Sequence, residues 1–137
     1  MSDNPEFYPS FVYSDLKQAM AWLEKAFGFR TLMAIPNEDG SYAHVEMAYG
    51  PIIIMPTGPR NEWDWKSPGD VGATTAAIYV YVPDDQLSAH FEQAQAAGAE
   101  IVLPLEKKDY GGSGYSARDL DGHHWSFGSY KPSLTPN

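Results

Sequence analysis

Apolar residues recur along the chain with two different spacings, which predict two helices and a series of strands. Helical spacing follows Asp15 and ends at Gly28, and a second such run follows Asp85 and ends at Gly98. The remaining segments are rich in aromatic and branched residues and are bounded by turn residues, which is typical of strands. Predicted strands cover residues 7–13, 29–35, 41–49, 52–56, 75–82, 99–105, 115–120 and 123–130.

The order of these elements is an internal repeat. Each predicted helix follows one strand and precedes three, and the two helix segments have equal length. We therefore expect one α+β domain, residues 1–137, built from two βαβββ modules at about 7–56 and 74–130, with a polar loop at 57–73. One helix covers only one face of its sheet. Two such modules facing each other predict a cup-shaped, half-open barrel.

Composition narrows the possible partners. A net charge of -9 argues against nucleic acid and anionic membranes as partners. The absence of cysteine excludes disulfides, thiolate zinc sites and a cysteine nucleophile. The first ten residues do not resemble a signal peptide, and the longest apolar run, Ile52–Met55, is too short to span a bilayer. We expect a soluble, cytoplasmic protein.

Four segments carry a family resemblance: "SDLKQAMAWLEKAFGFR", "YAHVEMAYG", "FEQAQAAGAEIV" and "YGGSGYSARDLDGHHWSFGSY". With them the chain resembles the vicinal oxygen chelate superfamily over nearly all of residues 7–130. That superfamily includes glyoxalase I, bleomycin-resistance proteins, fosfomycin-resistance enzymes and extradiol dioxygenases, and the last segment is similar to its glyoxalase-like subgroup. The resemblance implies the two-module fold, a small-molecule ligand and a homodimer.

The resemblance also implies where metal-dependent relatives hold a divalent ion. Their four ligand positions fall on Tyr8, Glu46, Ala77 and Ser126, and an alignment gap would put Tyr79 in place of Ala77. Only Glu46 is a usual ligand, because divalent ions bind through carboxylate or imidazole donors. We therefore expect no metal and no cofactor, and whether the protein is an enzyme stays open.

Strand alternation then sorts the side chains by face. If Glu46 faces the cup, Tyr42 and His44 on the same strand face it too, because alternate side chains point to the same side. The strands of the second module follow the same alternation. Aliphatic residues thereby fall on the helix-packed face and phenols and imidazoles in the cup. The predicted ligand-binding residues of the strands are Tyr8, Tyr42, His44, Glu46, Tyr79, Tyr81, His124 and Ser126.

Three side chains leave a catalytic alternative open. His44 and Glu46 lie two residues apart on one strand face, and with His124 they have the three donors of a catalytic zinc site. The alternative interpretation is that His44 and Glu46 form a hydrogen bond to each other or to a tyrosine. Glu46 itself is a former metal ligand, a counter-charge for a cationic ligand or a general base, and it is the one candidate catalytic residue.

Other aromatic and histidine positions have simpler interpretations. Trp63 and Trp65, in the polar loop, form either a lid over the ligand or a dimer interface. Tyr110 borders "GGSG", either a moving flap or an ordinary hairpin. We expect Trp125 in the core, His123 bonded to the backbone of its turn, and His90 on the surface of the second helix.

The leading hypothesis is a metal-independent protein of the bleomycin-resistance type, which binds a small aromatic or cationic ligand and sequesters a drug. The alternative is a metal-dependent glyoxalase-like lyase or isomerase that uses His44, Glu46 and His124. A third hypothesis is a regulator or subunit whose cup is filled by its own side chains.

Overall fold

A computed structural model describes residues 6–135, and it divides into two compact units, Met1–Ala73 and Thr74–Asn137. Unit one contains an open sheet of three strands and unit two an open sheet of four strands, each with helices. The predicted α+β class is confirmed. That the two modules form one domain stays a prediction. Among the described residues, no helix is both long and apolar enough to cross a membrane.

Unit one contains helix α1, three antiparallel strands in the order β1-β2-β3, and a loop with a 3-10 turn and a short helix α2. The bounds are α1 Leu16–Phe27, β1 Arg30–Pro36, β2 Tyr42–Tyr49, β3 Ile52–Ile54, the 3-10 turn Asn61–Trp63 and α2 Pro68–Val71. The segment predicted as an irregular polar loop thus holds two short helical pieces.

The ends of α1 lie where the sequence predicts them. The Asp15 side chain accepts a hydrogen bond from the Gln18 amide at 3.1 Å, and Gly28 ends the helix with a positive φ of 82°. Five side chains of α1 are buried, and Val45 and Met47 of β2 complete the core on the same side of the sheet; the five are Ala19, Met20, Leu23, Ala26 and Phe27.

The predicted first strand, residues 7–13, is wrong as a strand, although the segment is extended beside residues 55–57. The Met55 and Thr57 amides donate to the carbonyls of Pro9 and Phe11 at 2.8 Å each, and Val12 makes an isolated parallel bridge to Thr57. The Tyr13 amide donates to the Thr57 carbonyl at 2.9 Å, so the segment has short parallel pairing although it forms no regular strand. Sheet one consequently has three regular strands.

Unit two repeats the module with four regular strands in the order β4-β7-β6-β5, in which β4 runs parallel to β7. The bounds are β4 Ala77–Tyr81, α3 Asp84–Ala96, β5 Glu100–Lys107, β6 Ser113–Arg118 and β7 His124–Gly128. Its core contains stacked rings, because Phe127 lies between Tyr115 and Trp125 with centroids 5.3 Å and 5.9 Å away.

His90 corrects the prediction of a surface histidine. It lies on the buried face of α3 with Leu87 and Ala94, and its side chain is 7% exposed. Its Nδ1 is 2.6 Å from the Tyr115 hydroxyl, and its ring centroid is 4.4 Å from that of Phe127. The helical spacing of three and four residues places it in the core, and the tyrosine hydroxyl satisfies the buried ring nitrogen.

The turn between β6 and β7 depends on the buried carboxylate of Asp119. Its Oδ1 accepts hydrogen bonds from the amides of Asp121 and His123 at 3.0 Å, and its Oδ2 accepts one from Trp125 Nε1 at 2.9 Å. The Asp119 amide also donates a hydrogen bond to the His123 carbonyl at 3.0 Å. One carboxylate therefore fixes the turn and orients the largest core side chain.

We predict that Asp119→Ala lowers the free energy of unfolding by about 2–4 kcal/mol, because three donors lose their acceptor in a buried site. Asp119→Asn has an intermediate effect, since one amide oxygen replaces only one of the two carboxylate oxygens. Urea unfolding followed by tryptophan fluorescence measures both. The exposed carboxylate variant Glu92→Ala is the control and changes stability by less than about 0.5 kcal/mol. Equal stability of Asp119→Ala and Glu92→Ala contradicts the prediction.

Candidate ligand-binding site

The side chains of β2 alternate between the core and the face of sheet one that α1 leaves uncovered, which we call open face one. Val45 and Met47 are buried, whereas Tyr42, His44 and Glu46 are only partly buried. His44 Nε2 and Glu46 Oε2 are 2.8 Å apart, so the two side chains form a hydrogen-bonded pair. The structure therefore agrees with the predicted parity and with the simpler interpretation of this pair.

A cavity of about 150 Å³ lies in unit one beside this pair. Tyr42 and His44 line one part of it, Ser10 and Met55 another, and Trp65 closes a third. The Ser10 hydroxyl donates to the Met55 carbonyl at 2.8 Å, which ties the first extended segment to the chain after β3. A cavity of roughly this volume accommodates a group the size of benzene.

The two tryptophans of the 57–73 loop have different surroundings. Trp65 lines the cavity, whereas Trp63 is 64% exposed and is absent from the lining. Arg60 fixes the loop through two backbone hydrogen bonds. Its amide donates to the Trp65 carbonyl at 2.9 Å, and its carbonyl accepts from the Trp65 amide at 3.0 Å. The Arg60 guanidinium lies 5.4 Å from the Trp63 ring centroid, and Arg60 is among the residues that line the cavity.

Unit two has its own face without helix cover, open face two, which carries Tyr79 and Tyr81 of β4. Both are 40% exposed, whereas Val80 between them is buried. The Tyr79 hydroxyl donates to the Tyr130 carbonyl at 2.5 Å. Burial raises the pKa of Tyr79 above its usual value, and the neighbouring phenols of Tyr110, Tyr130 and Tyr81 raise it further.

On β7 the same alternation separates the buried rings from two polar side chains. Trp125 and Phe127 are buried, and His124 and Ser126 are partly exposed. Ser126 pairs across the strands with Ser116, with the two hydroxyl oxygens 2.7 Å apart. Tyr8, in unit one, is 40% exposed, and the structure does not place it on a regular strand.

The four positions that the family resemblance assigns to a metal ion, Tyr8, Glu46, Ala77 and Ser126, offer one carboxylate and no histidine here. Ala77 has no donor atom, Ser126 is engaged with Ser116, and Glu46 with His44. Among the described residues of unit one, no third histidine or carboxylate joins His44 and Glu46 in a group that could hold a metal. No step of chemistry through a metal follows from these residues.

The sequence did not predict most of the residues that line the unit-one cavity. Arg60 and Met55 line it, although neither lies on the predicted cup-facing strand positions. The pairing of Arg60 with Trp65 is a backbone interaction and has no sequence signature.

Comparison with known proteins agrees with this architecture. The family model of the Glyoxalase/Bleomycin resistance protein/Dioxygenase superfamily matches residues 8–127. The chain therefore belongs to this superfamily, and the predicted family resemblance is confirmed.

Individual relatives give the same result. TioX from Micromonospora sp. ML1 is 33% identical, with a TM-score of 0.75 over 93% of this chain and 100% of that one. The fosfomycin resistance protein FosX from Mesorhizobium loti is 15% identical, with a TM-score of 0.68 over 93% and 92% of the two chains, and shares the fold. The uncharacterized protein Rv0887c of Mycobacterium tuberculosis is 29% identical over 90% of this chain and 74% of its own length.

Proposed function

We propose that the protein binds a small organic molecule, aromatic or cationic, on its open faces, and that binding itself, as in drug sequestration, is its function. The observation that carries the proposal is the unit-one cavity, a space of benzene size whose lining includes Tyr42, His44 and Trp65. Aromatic walls with a few polar groups are typical of small-molecule sites.

Electrostatics favour a cationic or neutral group in this cavity. Glu46 lies beside the cavity wall through its hydrogen bond to His44, and the whole chain has a net charge of -9. The Arg60 cation at the rim is within 4.0 Å of the Glu62 carboxylate, which offsets its charge. Trp65 offers a ring face that attracts a cation, as the Tyr42 ring does for Lys17, whose Nζ lies 5.4 Å from its centroid. Membership of a superfamily that includes bleomycin resistance proteins supports sequestration.

We predict that benzylamine binds in the unit-one cavity and that Trp65→Ala weakens its affinity about tenfold, through the lost ring contact and burial. Trp63→Ala is the matched control, because it removes the same residue type from the same loop without altering the cavity lining. The affinity of this variant for benzylamine is expected to stay within about twofold of that of the parent protein. NMR titration of backbone amides measures both. Equal affinities of the two variants would refute the assignment of the cavity.

The second candidate function is a metal-dependent lyase or isomerase that uses His44, Glu46 and His124. The observation in its favour is that His44 and Glu46 already lie together on one face, 2.8 Å apart. The main proposal instead assigns this pair to ligand contact, with Glu46 as counter-charge.

Metal analysis separates the two candidates. We predict that protein purified without chelator has no stoichiometric zinc, manganese, iron or magnesium, and that zinc and manganese titrations do not saturate at one ion per chain, because two donors from one strand are too few for a stable site. Glu46→Gln instead weakens benzylamine binding. One ion per chain that is lost in both His44→Ala and Glu46→Gln would establish the enzyme candidate.

The surface of unit one favours a second copy of this chain as a partner, which would form a homodimer. Edge strand β1 exposes three apolar side chains, Leu32, Met33 and Ile35, each between 44% and 47% exposed. Exposed apolar residues on an unpaired strand edge favour association with another chain. A second copy provides the same surface, as a two-fold interface requires.

We predict that the double variant Leu32→Glu/Ile35→Glu converts a dimer to a monomer, because it places two charges in the apolar contact. Light scattering coupled to size-exclusion chromatography measures the mass. Leu120→Glu, an exposed leucine in the β6–β7 turn, is the control and stays dimeric. A parent protein of monomeric mass at micromolar concentration would overturn this part of the proposal.

A further inference from the structure

Four partly exposed tyrosines lie together in unit two. Tyr79 and Tyr81 come from β4, Tyr110 from the β5–β6 hairpin and Tyr130 from the segment after β7. The rings of Tyr110 and Tyr130 meet edge to face with centroids 5.2 Å apart, and Tyr79 is hydrogen-bonded to the Tyr130 carbonyl. Each tyrosine is between 39% and 61% exposed, so phenol rings form a continuous, accessible surface.

Two glycines let the backbone approach closely enough to hold these rings in place. A Cβ at Gly128 would lie 2.7 Å from the Tyr79 hydroxyl, and one at Gly112 would lie 2.9 Å from the Tyr130 amide nitrogen. Gly112 also has a positive φ of 67°, which favours glycine. The hairpin and the C-terminal segment are therefore docked on each other, and the tyrosines are pre-organised rather than spread on mobile loops.

Lysines border the tyrosines in a unit that is otherwise acidic. Three of the four lysine and arginine residues after Ala73, namely Lys107, Lys108 and Lys131, lie at this end of sheet two. Lys107 and Lys108 line a groove of about 490 Å³ together with Tyr81, and Lys131 Nζ lies 5.0 Å from the Tyr81 ring centroid.

The charges near these lysines are only partly compensated. Lys108 pairs with Glu106 at 3.2 Å, and the Asp84 carboxylate in the groove accepts a hydrogen bond from the Ser129 hydroxyl at 2.9 Å. Lys107 and Lys131 have no carboxylate within ion-pair distance among residues 6–135. Two ammonium groups beside an aromatic surface complement a ligand that has a ring and an acidic group.

The C-terminal part of this cluster lies outside the family match. The matched region ends at residue 127, whereas Tyr130 and Lys131 follow it. We propose that Tyr79, Tyr81, Tyr110 and Tyr130, with Lys107 and Lys131, form a subsite for a planar aromatic carboxylate. The ring lies against the tyrosines, and the carboxylate accepts hydrogen bonds from the two lysines. The inference rests on the proposed function in that both assign open faces to organic ligands, but it concerns a different unit.

The test compares three probes of matched shape or charge in NMR titrations of the intact protein. 2-Naphthoate has the ring and the acid, 2-naphthylmethanol has only the ring, and acetate has only the acid. We expect 2-naphthoate to bind about tenfold more tightly than either of the others, because charge-assisted hydrogen bonds add to ring contact. Amide shifts are expected in residues 107–113 and 129–131. Equal affinity for 2-naphthoate and 2-naphthylmethanol overturns the proposal.

Variants assign the effect to this subsite. Lys107→Gln/Lys131→Gln is expected to remove the preference for 2-naphthoate over 2-naphthylmethanol, and Tyr110→Ala to weaken both ring-bearing probes. The matched control, Lys25→Gln/Lys66→Gln, removes the same charge from unit one and keeps the preference. Both lysine pairs are exposed, so thermal unfolding should be unchanged. If the unit-two lysine variant keeps the preference, the proposal is wrong.

The same titration distinguishes this subsite from the unit-one cavity. Trp65→Ala weakens benzylamine and leaves 2-naphthoate unchanged if both proposals hold. Loss of 2-naphthoate binding in Trp65→Ala, with amide shifts confined to unit one, would overturn the unit-two subsite and retain the cavity.

Discussion

Each sheet of this protein has one principal helix against it, so one face of each sheet has no helix to cover it. Strand alternation sends aliphatic and large aromatic side chains to the covered face, where Val45 or Trp125 is fully enclosed. The opposite face receives side chains with an apolar body and a polar tip, such as Tyr79 and His44. Such side chains tolerate water and still offer apolar surface, which is why we assign the proposed binding to the open faces.

The open faces are held in shape by interactions located beside them. In unit two, the Asp119 carboxylate fixes the β6–β7 turn and the Trp125 indole, which sets the register of β7 and therefore the outward direction of Ser126. In unit one, the Arg60 backbone positions Trp65 against the cavity. The side chains of both proposed sites are thus held by backbone constraints, and such constraints reduce the entropy lost on binding.

The two units share a module and differ in the charge beside their aromatic residues. Open face one carries a carboxylate, Glu46, bonded to an imidazole, whereas the tyrosines of unit two are bordered by Lys107 and Lys131. This difference arises because repetition fixes the backbone pattern and leaves outward-facing residues free to change. Under the two proposals, the two copies of one module prefer groups of opposite charge.

The sequence by itself determined the repeat, the limits of α1 and the face assignment of β2, β4 and β7, because these depend on local periodicity and on capping residues such as Asp15 and Gly28. The family followed from the resemblance of four sequence segments to a known superfamily. Only the tertiary structure decided that residues 7–13 lack a regular ladder, that His90 is buried against Tyr115, and that Trp65 rather than Trp63 lines the cavity. These features depend on backbone pairing and side-chain contacts between distant segments. Local patterns carry no information about such contacts, since the same residue types suit either environment.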